Sequence, residues 1–273
     1  MIVVTGATGS VGRALAARLK GLDVVAAVRR PAGDLGIPYR PADFERPETI
    51  GALLSPGDRL FLNSSIWPGF ADAHRAVIDL AARAGVTQIV TVSVRGAAPG
   101  GRLATGLHGI VDDHLRQSGV PWAILQPTGF MQNLPYDFAA GVMHGSYGTA
   151  PVNYIDARDV AGTAAALLTA PVGPGRDHVL TGPESLPHAR IAEEIGRVLG
   201  RAYRYVDLPV PEMAARLETR GMPRLQAEEL AALMAEIGDG RWSSTTTTVK
   251  DLTGRPPRSL AAYVTDHLPA FSR

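Results

Sequence analysis

Thr5-Gly6-Ala7-Thr8-Gly9-Ser10-Val11-Gly12 is the stretch on which the fold turns. Before it, Met1-Ile2-Val3-Val4 is an apolar run of the length of a buried parallel strand. After it, Val11, Leu15 and Leu19 recur at i, i+4 and i+8, one face of a helix. Each glycine meets a different steric demand. Gly6 permits the tight reversal, Gly9 lets the backbone approach a diphosphate, and Gly12 lets the helix pack closely on the strand. Backbone N–H groups and the positive end of the helix then face the phosphates. Strand before and helix after is the context in which this spacing binds a dinucleotide.

The second strand indicates which dinucleotide. Asp23-Val24-Val25-Ala26-Ala27-Val28 runs into Arg29-Arg30. NAD-binding chains usually carry an acid at this strand end, where it accepts from the ribose 2′-OH. Two guanidiniums stand there instead, and arginine binds a 2′-phosphate bidentately with full charge. The reading is NADP(H) in preference to NAD(H).

Composition narrows the classes. At 273 residues the chain can bury a large core. Net charge is +1 and no basic run occurs, so nucleic acid is not an expected partner. There is no cysteine, which excludes disulfides, thiolate catalysis and Cys-based metal sites. No apolar stretch reaches about 18 residues, so neither a membrane span nor a leader is expected and a cytoplasmic protein is. A monomer or homodimer acting on a small molecule fits these bounds.

Strand and helix patterns alternate through the first two thirds: strands at 36–40, 59–63, 88–93 and 122–126, helices at 49–54, 71–84 and 107–117. That alternation predicts an α/β chain with a Rossmann-like doubly wound parallel sheet. The ligand crevice then lies at the strand C-termini. From Pro127 to Pro151 the rhythm loosens. A helix returns at 159–168, then a strand and turn at 179–183, a helix around 191–199, a strand at 203–206 and a helix around 230–237. The expected division is a dinucleotide-binding domain over 1–150, with the remaining Rossmann elements and a small C-terminal substrate-binding lobe over 151–273.

Taken together, Thr5–Arg13, Ser118-Gly119-Val120-Pro121-Trp122 leading to Leu125-Gln126-Pro127, Phe130-Met131-Gln132-Asn133, Ile155-Asp156-Ala157-Arg158-Asp159-Val160-Ala161, Leu180-Thr181-Gly182-Pro183 and Thr253-Gly254-Arg255-Pro256-Pro257 carry a resemblance along nearly the whole chain. The sequence resembles the NmrA-like atypical short-chain dehydrogenase/reductases, which include quinone reductases, triphenylmethane-dye reductases and redox-sensing regulators. The resemblance implies that Thr8, Gly9, Ser10 and Val11 meet the diphosphate and that Arg29 and Arg30 meet the 2′-phosphate. It places Asp43 and Phe44 beside the adenine, Asn63 and Ser64 along the nicotinamide ribose, and Ser93 near the nicotinamide.

The proton chemistry departs from the standard pattern. A short-chain dehydrogenase uses Tyr-x-x-x-Lys, the lysine lowering the tyrosine pKa. The only lysines are Lys20 and Lys250, and neither lies four residues after a tyrosine. The helix that would carry the motif holds His108 and Asp112 on one face. The reading makes His108 the proton donor, oriented by Asp112; the alternative is a structural pair. No metal site is expected. At Gln126 the family usually has Leu-Arg-Pro, its arginine paired with the acid of the preceding helix; here that partner is lost or replaced. Trp67, Gln126, Phe130, Met131, Asn133, Tyr136 and Phe138 are the expected pocket lining. The function expected is NAD(P)H-dependent reduction of a conjugated aromatic, quinone or enone-type molecule by hydride transfer. The alternatives are an NADP-sensing regulator without catalysis, or a non-redox isomerase, cyclase or lyase.

Overall fold

The computed structural model of the chain describes residues 1–240 and 242–271, so Arg241, Ser272 and Arg273 of the expected C-terminal lobe lie outside the described residues. β1 (Ile2–Val4) is buried throughout. It lies parallel between β2 (Val24–Val28) and β4 (Arg59–Leu62), with Val3 opposite both Val25 and Leu60. β3 (Tyr39–Pro41) extends the sheet beyond β2. β5 (Gln88–Val92), β6 (Trp122–Pro127) and a last strand, Arg176–Leu180, extend it beyond β4. All seven strands are parallel, in the order Arg176–Leu180, β6, β5, β4, β1, β2, β3. Both faces of such a sheet are covered, which is why β2 and β5 are buried at every residue. The order reverses between β1 and β4, and the crevice outside their C-terminal ends is the binding position of this topology.

α1 (Ser10–Leu19) packs against the helix Ala157–Thr169, while α2 (Pro47–Gly51), α3 (Phe70–Ala84) and α4 (Leu103–Gln117) pack in sequence against one another. Val77, Ile78 and Ala81 of α3 and Val111 and Leu115 of α4 join the core beneath the sheet. α4 starts four residues before the expected Leu107. Its first turns carry Gly106 and Gly109, poor helix formers that masked the start. They are glycines for a packing reason: a Cβ on Gly109 would stand 2.1 Å from the Ala98 carbonyl carbon, and one on Gly106 2.2 Å from Gly101 O.

Two compact units are present, and each is interleaved in sequence. The first comprises Met1–Pro127, Ala157–Leu180 and Thr248–Arg255; the second comprises Thr128–Asp156, Thr181–Thr247 and Pro256–Arg273. The chain therefore crosses between units several times rather than dividing once at 150/151. The second unit holds two small three-stranded sheets. One orders Ser185–Leu186, Val152–Ile155 and Gly129–Phe130; the other orders Arg204–Asp207, Val142–Gly145 and Phe138–Ala139. The stretch 127–151, aperiodic in sequence, is thus a series of strands of two to four residues around a 3-10 turn at Met131–Asn133 and a one-turn helix at Leu134–Asp137, each too short to show a period. The helix His188–Leu199 buries Ile191, Ala192 and Ile195 against Met131, Leu134 and Tyr263.

One side chain ties the start of β4, the central strand, to the helical layer. Arg59 donates from Nη1 to Leu168 O at 2.7 Å and to Ala170 O at 2.6 Å, closing the C-terminal carbonyls of the helix Ala157–Thr169. Arg59→Met keeps the aliphatic stem and loses these bonds. Its unfolding free energy, measured in urea, is expected to fall by about 1–3 kcal/mol.

Candidate active site

Thr5 ends β1 and locks it to the loop after β4. Its N–H donates to Phe61 O at 3.0 Å, its hydroxyl lies 2.9 Å from Asn63 O, and Asn63 N–H donates back to Thr5 Oγ1 at 2.8 Å. Gly6, at φ 63°, follows; a Cβ there would stand 2.5 Å from Asn63 O. A Cβ on Gly12 would stand 2.1 Å from Gly6 O. Gly6 and Gly12 are therefore required by the chain's own packing. Gly9 is not: a Cβ there would meet only Gly6 O, at 3.5 Å, an ordinary contact. Thr8, Gly9 and Ser10 are exposed, and α1 begins at Ser10 with no side-chain cap and no acidic residue in its first turn. A glycine that the protein does not need, beside an uncapped helix start, fits a diphosphate drawn close to the backbone. Arg13 adds charge here, its Nε–H donating to Thr8 O at 3.0 Å.

Arg29 and Arg30 are exposed just past β2, and neither forms an ion pair among the described residues. Asp43 is committed locally: its Oδ1 accepts from Glu45 N–H at 3.1 Å and its own N–H donates to Thr49 Oγ1 at 2.9 Å. Phe44 is half-buried and stacks on His74 at 4.6 Å between centroids.

His74 was not singled out in the sequence. It sits one turn into α3 on the buried face, between Phe70 and Val77–Ile78. Its Nδ1–H donates to Phe70 O at 2.9 Å, which leaves Nε2 as an acceptor 3.3 Å from Ser64 Oγ. Ser64 Oγ also lies 2.9 Å from Ser65 O. Trp67, Phe70 and His108 complete an aromatic file: Trp67 to Phe70 at 5.7 Å, Phe70 to His74 at 4.0 Å, Phe70 to His108 at 4.9 Å. Burial pushes His74 down to about 3 and His108 down to about 4, so both imidazoles are neutral at pH 7.

The expected His108–Asp112 pair is not formed: no hydrogen bond joins them among the described residues. Asp112, fully buried, turns instead to Ser93, whose Oγ lies 2.6 Å from Asp112 Oδ2. Asp112 Oδ1 is buried with no partner. Gln126, half-buried on β6, does not reach it. Burial pushes the Asp112 carboxyl up to about 7, against the opposing effects of the Ser93 bond and the Arg116 charge. With a neutral amide at Gln126, this carboxyl has no cationic partner in contact among the described residues.

The remaining expected lining residues belong to the second unit. Met131 and Phe138 are in its core, Phe130 is half-buried, and Asn133 and Tyr136 are exposed. Tyr154, also there, is half-buried and bonded to His188 Nε2 at 3.0 Å. No group of three or more His, Cys, Asp or Glu is placed to hold a metal ion among the described residues, and no described helix is long and apolar enough to cross a membrane.

The chain has known relatives along its whole length. The NAD(P)H-binding family matches residues 6–171. The chain is 31% identical over 283 residues to an NAD(P)H azoreductase of Xenophilus azovorans, covering 99% of each chain. It is 33% identical to a (4-alkanoyl-5-oxo-2,5-dihydrofuran-3-yl)methyl phosphate reductase of Streptomyces griseus, covering 100% of this chain and 99% of the relative. The NADPH complex of the Escherichia coli NADPH-dependent quinone oxidoreductase superposes with a TM-score of 0.85 at 26% identity, covering 98% of this chain and 99% of that one. The chain belongs to the NAD(P)H-binding family.

Two expectations follow. Gly9→Val is expected to fold normally by circular dichroism and to lose nucleotide binding by calorimetry, whereas Gly12→Ala is expected to unfold at markedly lower denaturant because its Cβ meets backbone. The buried imidazoles set a second. Unfolded histidine takes a proton near pH 6.5, while folded His74 resists until about 3. The unfolded state thus binds more protons as pH falls below about 6.5, and stability drops. The drop between pH 7 and 5, measured by urea midpoints, is expected to be smaller in His74→Phe.

Proposed function

We propose that the chain is an NADPH-dependent reductase of planar, conjugated small molecules of the quinone, enone or azo type. The observation that carries the reading is the solvent-facing Gly9 at the uncapped start of α1, at the end of the strand where the sheet order reverses. End-to-end similarity to reductases supports it. Thr8, Gly9, Ser10 and Val11 would hold the diphosphate, with Arg13 beside it. Arg29 and Arg30 would clamp the 2′-phosphate. Phe44 would border the adenine, and Asn63 and Ser64 would follow the ribose, their loop held by Thr5 and His74. Bound there, the nicotinamide supplies a hydride.

The chain's own task is then to bind, orient and exclude water. Trp67, half-buried on the loop after β4 and backed by the buried rings of Phe70 and His108, presents the aromatic surface on the first unit, suited to a flat aromatic acceptor. Conjugated acceptors spread the incoming electron pair, which makes them tolerant of a site without Tyr-x-x-x-Lys. His108, neutral at pH 7, serves such a site as a packing and hydrogen-bonding group.

The test is NADPH oxidation, followed by absorbance, against a panel of quinones, enones and azo dyes. The expected result is turnover of several members. NADPH binding without oxidation of any member would mark a sensor, and product formation with no net change in cofactor would mark a non-redox enzyme. NADPH is also expected to bind at least about tenfold more tightly than NADH, since charge-assisted bonds contribute about 1.5–3 kcal/mol each. Arg29→Ala with Arg30→Ala is expected to remove most of that difference, and equal dissociation constants in the wild type would contradict the assignment.

A further inference from the structure

We propose that Ser93 and Asp112 form a buried proton relay, in which Asp112 stores the proton and Ser93 delivers it to the reduced acceptor. The proposal rests on the reductase reading and supplies the proton source that the missing tyrosine and lysine leave open.

Three observations carry it. Ser93 immediately follows β5, at the carboxyl edge of the sheet where ligands of this fold bind. Its N–H is fixed by Leu125 O at 2.7 Å, so the residue is held in place by the neighbouring strand. Its Oγ is 2.6 Å from Asp112 Oδ2, while Asp112 Oδ1 has no partner and the residue is fully buried.

The hydrogen-bond count separates two states. As a carboxylate, Asp112 would take Ser93's single proton and still leave a charged oxygen bare in the interior, which is costly. As a carboxylic acid protonated on Oδ2, it donates to Ser93 Oγ, and only a neutral carbonyl oxygen stays bare. The proton of Ser93, itself buried, is then not committed to Asp112 and is available to another acceptor. The surroundings favour the acid. Arg116, one turn along α4, is spent on Asp113 at 2.8 Å and on Asp177 of the adjacent strand at 2.9 Å. Asp113 and Asp177 themselves oppose a second negative charge. His114 is bonded to Asp79 of α3 at 2.7 Å, His108 is neutral, and Gln126 on β6 carries no charge. Burial accordingly lifts the carboxyl to about 7.

The step balances. The acceptor gains a hydride with its electron pair from the reduced nicotinamide, and the pair comes to rest on the acceptor oxygen. The Ser93 O–H bond breaks as a new O–H bond forms on that oxygen. The Asp112 Oδ2–H bond breaks to restore the Ser93 hydroxyl. Once product leaves, water that takes its place gives a proton to Ser93 Oγ as the Ser93 hydroxyl proton passes to Asp112 Oδ2, which restores the acid. Ser93 is the residue that touches the acceptor; Asp112 acts through it.

The test uses the full chain with Asp112→Asn and Ser93→Ala. In the absence of cofactor, the infrared difference between wild type and Asp112→Asn at neutral pH is expected to show a carboxylic-acid C=O band that fades as pH rises. Ser93→Ala is expected to retain that band. With NADPH and an enone, wild-type kcat is expected to fall as pH rises through the same range. Both variants are expected to lose about 10²–10⁴-fold in kcat at the low-pH plateau and to lose that pH dependence, with NADPH affinity unchanged in Asp112→Asn. Absence of the acid band at neutral pH, or a wild-type pH profile in either variant, would overturn the relay. Should wild type reduce no acceptor while showing the band, the reductase reading fails and the stored proton stands.

Discussion

The approach of α1 to the end of β1 is the constraint on which the rest depends. A hydrogen atom, and nothing larger, fits between Gly12 Cα and Gly6 O, where a Cβ would stand 2.1 Å from that oxygen. This contact aims the start of α1 at the carboxyl edge of the sheet. Thr5 carries the constraint across the topological switch, since its backbone and hydroxyl bind Phe61 and Asn63 of the next strand and loop. The glycine turn and the Asn63–Ser64 loop are therefore set by one local geometry.

Deeper in the first unit, the polar groups follow a different logic. His74 spends Nδ1 on Phe70 and turns Nε2 to Ser64, so a buried histidine holds a loop of the nucleotide site. Ser93 and Asp112 bond to each other where the related pattern has an acid and an arginine. Losing the arginine removes a permanent counter-charge. It also makes the protonation state of one carboxyl depend on pH near neutrality.

The fold was legible because parallel strands buried on both faces read as unbroken apolar runs, and because the glycine spacing has a single steric explanation. Element ends were less legible. α4 began early because Gly106 and Gly109 serve the Ala98–Gly101 loop, a demand from outside the helix. The strands between Thr128 and Ile155 were invisible because two to four residues carry no period. In the candidate site, type and position single out Gly9 and the two arginines, which the structure leaves exposed. His74 did not, because its role comes from stacking on Phe44 and Phe70, residues far apart or one turn away in sequence. The i,i+4 spacing of His108 and Asp112 suggested a pair, but a partner 19 positions away in sequence won the carboxylate. A 2.6 Å bond from a strand end outcompetes a helix-surface contact, whose contribution is only a few tenths of a kcal/mol.

The central claim, that this cradle delivers hydride to a conjugated acceptor, is tested most directly with NADPH deuterated at the transferable C4 position. Single-turnover oxidation in the presence of a quinone is expected to slow relative to unlabelled NADPH, with one equivalent of cofactor oxidised per quinone reduced. Cofactor that binds yet is oxidised at the same negligible rate with and without acceptor, whichever isotope it carries, would contradict the account.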